Sequence, residues 1–311
     1  MYEEMGSEKM TYWYNPLNLK RTYGVVLNLS EKGEKCKVHY ECEVVFLKKD
    51  IYNCFYFSIH KKQIYINEKL PDIVFDELAS QCGRTIYPIE VKISSYGVLM
   101  DITNHEEIKE RWSNKKKTLA KYYKGKEVTT LFEKMDVTIA SYTKLMTVLK
   151  KEWFIVLFFS PIHAGYGRPK SSIDLMLDML PYKLPIKYNV TQCVTENEIE
   201  IGGLMYRQKG NCVDIRDEID ILKGNFFTTG NVAQLAKGEL DISYEIYKDS
   251  PVFDRILGSC SLKLPSGYVK KIEIEIYNLV EKQTLTVAEK YQKAIKQQEK
   301  EPKPKKRFTF W

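Results

Sequence analysis

Between residues 21 and 66, apolar and polar side chains alternate through three segments, RTYGVVLNLS, KCKVHYECEVVFLKK and YNCFYFSIHKKQIYIN. Period-two alternation sends successive side chains to opposite faces of a strand, and Val, Ile, Tyr and Phe suit a pleated, half-buried surface. In the middle segment Cys36, Val38, Tyr40, Cys42 and Val44 share one face, while Lys37, His39, Glu41 and Glu43 share the other. The polar cluster from Ser30 to Lys35 reads as a turn. The pattern therefore predicts an antiparallel meander in which strands adjacent in sequence pair in space.

The period then changes. Pro71 and Asp72 open a short helix carrying Ile73, Val74, Leu78, Ala79 and Cys82, with Gly83 as its stop. IEVKIS after Pro88 and VLMDIT after Ser95-Tyr96-Gly97 read as a hairpin. Asn104-His-Glu-Glu107 has the form of a capping arrangement, Asn offering an oxygen to the free amides and Glu reaching back. Ile108, Trp112, Leu119 and Tyr123 follow at helical spacing, Gly125 interrupts, and Val128 to Leu149 continue the period. A helical hairpin is predicted, with helices at about 105–124 and 127–151. It runs into an apolar stretch, Trp153 to Phe159, and Pro161, Gly165, Gly167 and Pro169 then break the chain near 161–170.

Beyond the break come a short amphipathic piece at Ser172–Leu180 and strands at Lys183–Val194 and Glu198–Gln208, then GELDISYEIY, SCSLKL and VKKIEIEIYNLV. In the last, Ile272, Ile274 and Ile276 oppose Lys271, Glu273 and Glu275. Residues 285–298 suit either a strand or a helix. The predicted fold class is α+β: a large, mostly antiparallel sheet, curved or two-layered, with a packed helical hairpin and one or two short helices. Residues 1–160 form a meander plus hairpin, 170–290 a second β-rich half packing with the first, and 291–311 a basic tail with an aromatic end.

Composition adds limits. With 311 residues, 44% hydrophobic and 29% charged, and with only 16 Gly and 11 Pro, the chain is of ordinary globular type. The longest apolar run is the seven residues from Trp153 to Phe159, where a spanning helix needs roughly twenty. The start, MYEEMGSEKM, is acidic and polar, so a cytoplasmic location is expected. Seven dispersed cysteines with no C-x-x-C pair suit reduced thiols, most of them in the core.

Charge is unevenly placed. Residues 106–126 and 287–311 each hold eight Lys/Arg against three Glu, a local +5; removing both from the net +7 leaves −3 for the rest. A nucleic-acid binder lays cations and stacking aromatics along one groove, which this distribution does not resemble, so a nucleic-acid partner is not expected.

Candidate chemistry is sparse. The histidines at 39, 60, 105 and 163 have no ligand spacing, no glycine-rich phosphate motif or G-x-S-x-G elbow occurs, and neither a cofactor nor a metal is expected. His163, in a Gly-rich stretch, is the residue to test first as an acid or base. Asp214, Asp217, Glu218 and Asp220 read as the wet side of an amphipathic element whose apolar residues are Cys212, Val213, Ile215, Ile219 and Ile221. The tail joins Lys303, Lys305, Lys306 and Arg307 to Phe308, Phe310 and Trp311, a composition that steers to an acidic surface and fills apolar pockets. These residues are the candidate partner-binding site. The expectation is a non-enzymatic binding or assembly protein that docks protein partners through sheet edges, the helical hairpin and the tail. The alternatives are a protein holding an apolar or lipid-like ligand in a trough lined by Trp153, Phe154, Phe158 and Phe159, and a hydrolase whose site forms no linear motif.

Overall fold

A computed structural model describes residues 16–71, 73–162, 171–196, 203–226, 235–247, 250 and 252–279. The alternating segments form strands β1 (Lys20–Glu31), β2 (Glu34–Lys49) and β3 (Phe55–Ile66), and the hairpin forms β4 (Ile89–Ile93) and β5 (Leu99–Ile102). The second half supplies β6 (Ser171–Leu177), β7 (Ile186–Glu196), β8 (Leu204–Cys212), β9 (Glu239–Ile246), β10 (Arg255–Lys263) and β11 (Val269–Asn278). All eleven make one antiparallel sheet in the order β5-β4-β3-β2-β1-β11-β10-β9-β8-β7-β6. The fold is α+β.

Every lateral pairing but one joins consecutive strands. The exception is the central seam, where β1 meets β11 with Val25 opposite Ile276 and Leu27 opposite Ile274. Gly24 is needed there, because a Cβ on it would stand 2.5 Å from the Tyr277 ring. The connection from one sheet edge to the other, β5 to β6, carries helices α2 (His105–Tyr122), α3 (Lys126–Ala140), α4 (Tyr142–Leu149) and α5 (Trp153–Phe158). Helix α1 (Val74–Arg84) lies between β3 and β4 in sequence, and α6 (Glu218–Lys223) follows β8. No helix among the described residues is long and apolar enough to cross a membrane.

The period-two faces account for the core. Tyr23, Val25 and Leu27 of β1, Ile272, Ile274 and Ile276 of β11, and Ile242, Tyr244 and Ile246 of β9 are buried with Ile108, Trp112, Leu145 and Leu149 of the helices in one cluster. The opposite face carries cross-strand ion pairs such as Arg207–Asp241 and Arg255–Glu275. Trp112 joins α2 to α3, its Nε1 donating to Asp136 at 2.8 Å and its ring meeting Phe132 edge-on.

Two local expectations need correction, and two segments read without a secondary structure are assigned one. The second helix of the hairpin is two: Ser141 leaves helical geometry and caps α4, its Oγ accepting from Lys144 N. Asn104 does not cap α2 with its side chain. Its Oδ1 accepts from Glu90 N at 2.9 Å and its Nδ2 donates to Pro88 O, so a buried amide anchors the helix start to β4 instead. The apolar stretch after the hairpin is helical, as α5. Finally, the amphipathic piece at Ser172–Leu180 overlaps the edge strand β6 (Ser171–Leu177), which is paired along its length with β7.

Candidate functional site

The tail residues Lys303, Lys305, Lys306, Arg307, Phe308, Phe310 and Trp311 lie outside the described residues, as do His163 and residues 285–298. Phe154, Phe158 and Phe159 are buried core side chains and Trp153 is half-buried. Phe158 packs edge-on against Tyr23 and Phe253, with centroids 5.0 and 5.9 Å apart, and Phe159 lies 5.8 Å from Phe57. These rings occupy the space between α5 and the sheet. All seven cysteines are free thiols, with Cys42, Cys54, Cys82 and Cys260 buried. Among the described residues no group of three or more His, Cys, Asp or Glu is placed to hold a metal.

Two other places concentrate polar chemistry or exposed apolar surface. The first grows from a β-bulge. Between Tyr40 and Cys42 the register with β3 shifts, Tyr40 facing Ile64 and Cys42 facing Lys61, so one extra β3 residue is accommodated. Just before the bulge, Lys61 continues the period-two inward row of Phe55, Phe57 and Ile59, and a half-buried lysine is turned toward the helices. Its Nζ is 2.5 Å from Glu152 Oε1 and 4.1 Å from the centre of the Tyr40 ring. Tyr87 donates its hydroxyl to Glu152 Oε2. Burial, reinforced by the Glu152 charge, pushes the Tyr40 and Tyr87 phenols well above their ordinary value, so both are neutral donors at pH 7. One ammonium and one carboxylate are thus matched by hydrogen bonding and cation–π contact, the condition for holding an ion pair that is only partly open to water.

A cavity of about 190 Å³ opens beside this group, walled by Ala79 and Gly83 of α1, Ile86, and Leu145 and Val148 of α4. Across Ser80, Arg84 and Tyr87, which line both spaces, lies an open cleft of about 700 Å³ between α1 and α2. Arg111 reaches into its wall, where Nε donates to Thr85 O and NH2 to Ile86 O and Pro88 O, the last at 2.7 Å. The guanidinium fixes the turn between α1 and β4 through its carbonyls, and burial lowers its pKa despite Glu107 and Glu90 nearby.

The second place is the segment around α6, where Ile221 is buried as the expected amphipathic element requires but most of the other positions are inverted. Asp214, Arg216, Asp217 and Asp220 are buried, whereas Val213, Ile215, Ile219 and Leu222 are exposed, Ile215 at 71%. The aspartates are consumed locally. Asp214 accepts from Arg216 Nε at 2.8 Å and NH2 at 2.6 Å, and from the amides of Arg216 and Lys187. Asp217 caps α6 by accepting from Asp220 N, and Asp220 Oδ1 accepts from Asn225 Nδ2. Burial alone would raise the Asp214 carboxyl, but the Arg216 hydrogen bonds outweigh it and hold it below its ordinary value. Gly224 closes the helix at φ 78°. With the acids turned inward, Val213, Ile215, Phe226 and Met176 surround a surface groove of about 310 Å³, and Phe226 is 78% exposed.

Sequence reasoning passed over Lys61 and Glu152. The available signal was a lysine in phase with three apolar residues of β3, and the bulge that makes sense of it is a cross-strand property. No known protein family matches the chain, and a comparison with curated proteins finds no relative.

Proposed function

We propose that this protein is a non-enzymatic binding or assembly protein that docks a protein partner. The observation that carries the reading is the inverted segment at α6. Four aspartate or arginine side chains are buried and bonded to one another, to backbone or to Asn225, while Val213, Ile215, Ile219, Leu222 and Phe226 face solvent. A folded chain that hides its charges locally and leaves a cluster of large apolar side chains outside matches the character of an interaction surface. The edge strand β6 supports it: Met176 belongs to the same groove and is 52% exposed, and the strand's outer edge has no partner among the described residues. The basic aromatic tail, with Lys303, Lys305, Lys306 and Arg307 preceding Phe308, Phe310 and Trp311, is proposed as a second docking element for the same class of partner.

The test is quantitative crosslinking and capture from the native cell with three forms: wild type, Ile215→Asp/Ile219→Asp, and a chain lacking 300–311. Both isoleucines are exposed, so the double variant is expected to melt within about 0.5 kcal/mol of wild type. It should lose the partners that wild type retains. Identical recoveries from wild type and the double variant would remove α6 from the interface, and identical recoveries from the truncated chain would remove the tail.

A further inference from the structure

Helices α1 and α2 present matching pairs to the cleft between them. Ser80 and Arg84 are four residues apart on α1, and Arg111 and Lys115 are four apart on α2, so each pair shares a helix face. Among the described residues, Arg21, Arg111, Arg207, Arg216 and Arg255 each have a carboxylate within 4.0 Å. Arg84 has none, and neither has Lys115. Arg84 is not needed to finish α1, because the Thr85 amide and Oγ1 both donate to Cys82 O and Arg111 holds the next carbonyls.

The described lining holds three cations, Arg84, Arg111 and Lys115, against one carboxylate, Glu77. Arg111 is already paired with Glu107 at 3.7 Å, which leaves Arg84 and Lys115 as the lining cations without a carboxylate partner and suits an anion such as a phosphate monoester, about −1.5 to −2 at neutral pH. Ser80 Oγ is buried, has no hydrogen-bond partner and belongs to a residue lining the cleft. A hydroxyl in that state lacks something to bond. Gln63, Gln81 and Asn114 add amide donors and acceptors around the same space, which at about 700 Å³ lies within the size of small-molecule sites, roughly 300–1,000 Å³.

We propose that the cleft between α1 and α2 binds a soluble phosphate monoester carried on a small polar body, with Arg84 and Lys115 clamping the phosphate, Ser80 donating to it and the amides facing the body. Arg111 contributes its field, since its donors are already held by carbonyls. The site lies on the β3 side of the sheet and is independent of the α6 surface on the β7–β8 side.

The test is calorimetric titration of the full chain with glycerol 3-phosphate, with glycerol as the uncharged control, at fixed ionic strength. Saturable binding to the phosphate and none to glycerol is expected. Arg84→Gln and Lys115→Gln should each weaken it about tenfold or more, the scale of a lost charge-assisted hydrogen bond. Ser80→Ala should weaken it by a smaller factor, and Lys263→Gln, which removes a charge on β10, should leave it unchanged. Each replaced side chain is at the surface or lines the cleft, and thermal melts of the variants confirm the fold. Absence of saturable binding overturns the proposal. So does an equal loss in Lys263→Gln and Arg84→Gln, which would mark the response as general attraction to a basic protein.

Discussion

Glu245 stands opposite Arg255 across β9 and β10, on the face of the sheet away from the helices, yet it is only 5% exposed and its Oε2 has no hydrogen-bond partner. Burial raises its pKa; Arg255 opposes that, and the neighbouring Glu275 and Asp254 add to it. A carboxyl whose folded value lies above its unfolded value weakens the fold at pH above the folded value, and this penalty fades as the pH falls and the group is protonated. Glu245→Gln is therefore expected to raise Tm at pH 7 and to lose that advantage toward pH 4, as thermal melts across the range will show. Single residues also mark where reading the chain by pattern stops. Asn104 was legible as the residue before a helix, but its amide goes to Glu90 and Pro88, partners 14 and 16 residues back that meet it only once β4 is in place. Lys61 is in phase with Phe55, Phe57 and Ile59, but a lysine ends an apolar row when read by pattern, and the Glu152 that pairs with it is 91 residues away.

At the scale of elements, strands with one wet face were readable and the segment at α6 was not. Ile272, Ile274 and Ile276 are buried and Lys271 and Glu273 exposed, because a single strand crossing a half-covered sheet has only two faces to choose between. Residues 212–222 have the same apparent alternation, but short-range hydrogen bonds from backbone amides and from the Arg216 guanidinium compete for the aspartates and win. That competition makes the segment sensitive to acid. Asp214 has its folded pKa below its unfolded value of about 3.9, so its contribution is complete above that value and is lost as the pH falls through the folded one. Protection factors for the Lys187 and Arg216 amides, both donors to Asp214, should be high at pH 6 and drop below about pH 4. In Asp214→Asn they should already be low at pH 6. Hydrogen exchange read by NMR checks both, and unchanged amides in the variant would mean that Arg216 is held by the carbonyls of Pro185 and Asn225 alone.

At the scale of the whole molecule, the described sheet is two meanders joined side by side. Their existence was legible in the period-two segments, since adjacent strands pair by default. The junction was not: pairing Leu29 with Ile272 or Tyr23 with Asn278 joins residues about 250 apart, and no local pattern names that register. Stability should follow the same geometry. Amides of β1 and β11, flanked on both sides, are expected to exchange slowest, and those of β5 and β6, each paired on one side, fastest, with the intermediate strands graded between. Residue-resolved exchange at neutral pH tests this, and uniform protection across the sheet would argue against it. The seam also sets a problem for biosynthesis. β1 leaves the ribosome well before its second neighbour, β11, is made, so one side of β1 has its hydrogen bonds unclaimed while the strands between them are translated. A nascent chain in that state is vulnerable to pairing with copies of itself on the same polysome, and slow translation of the second half would lengthen the exposure.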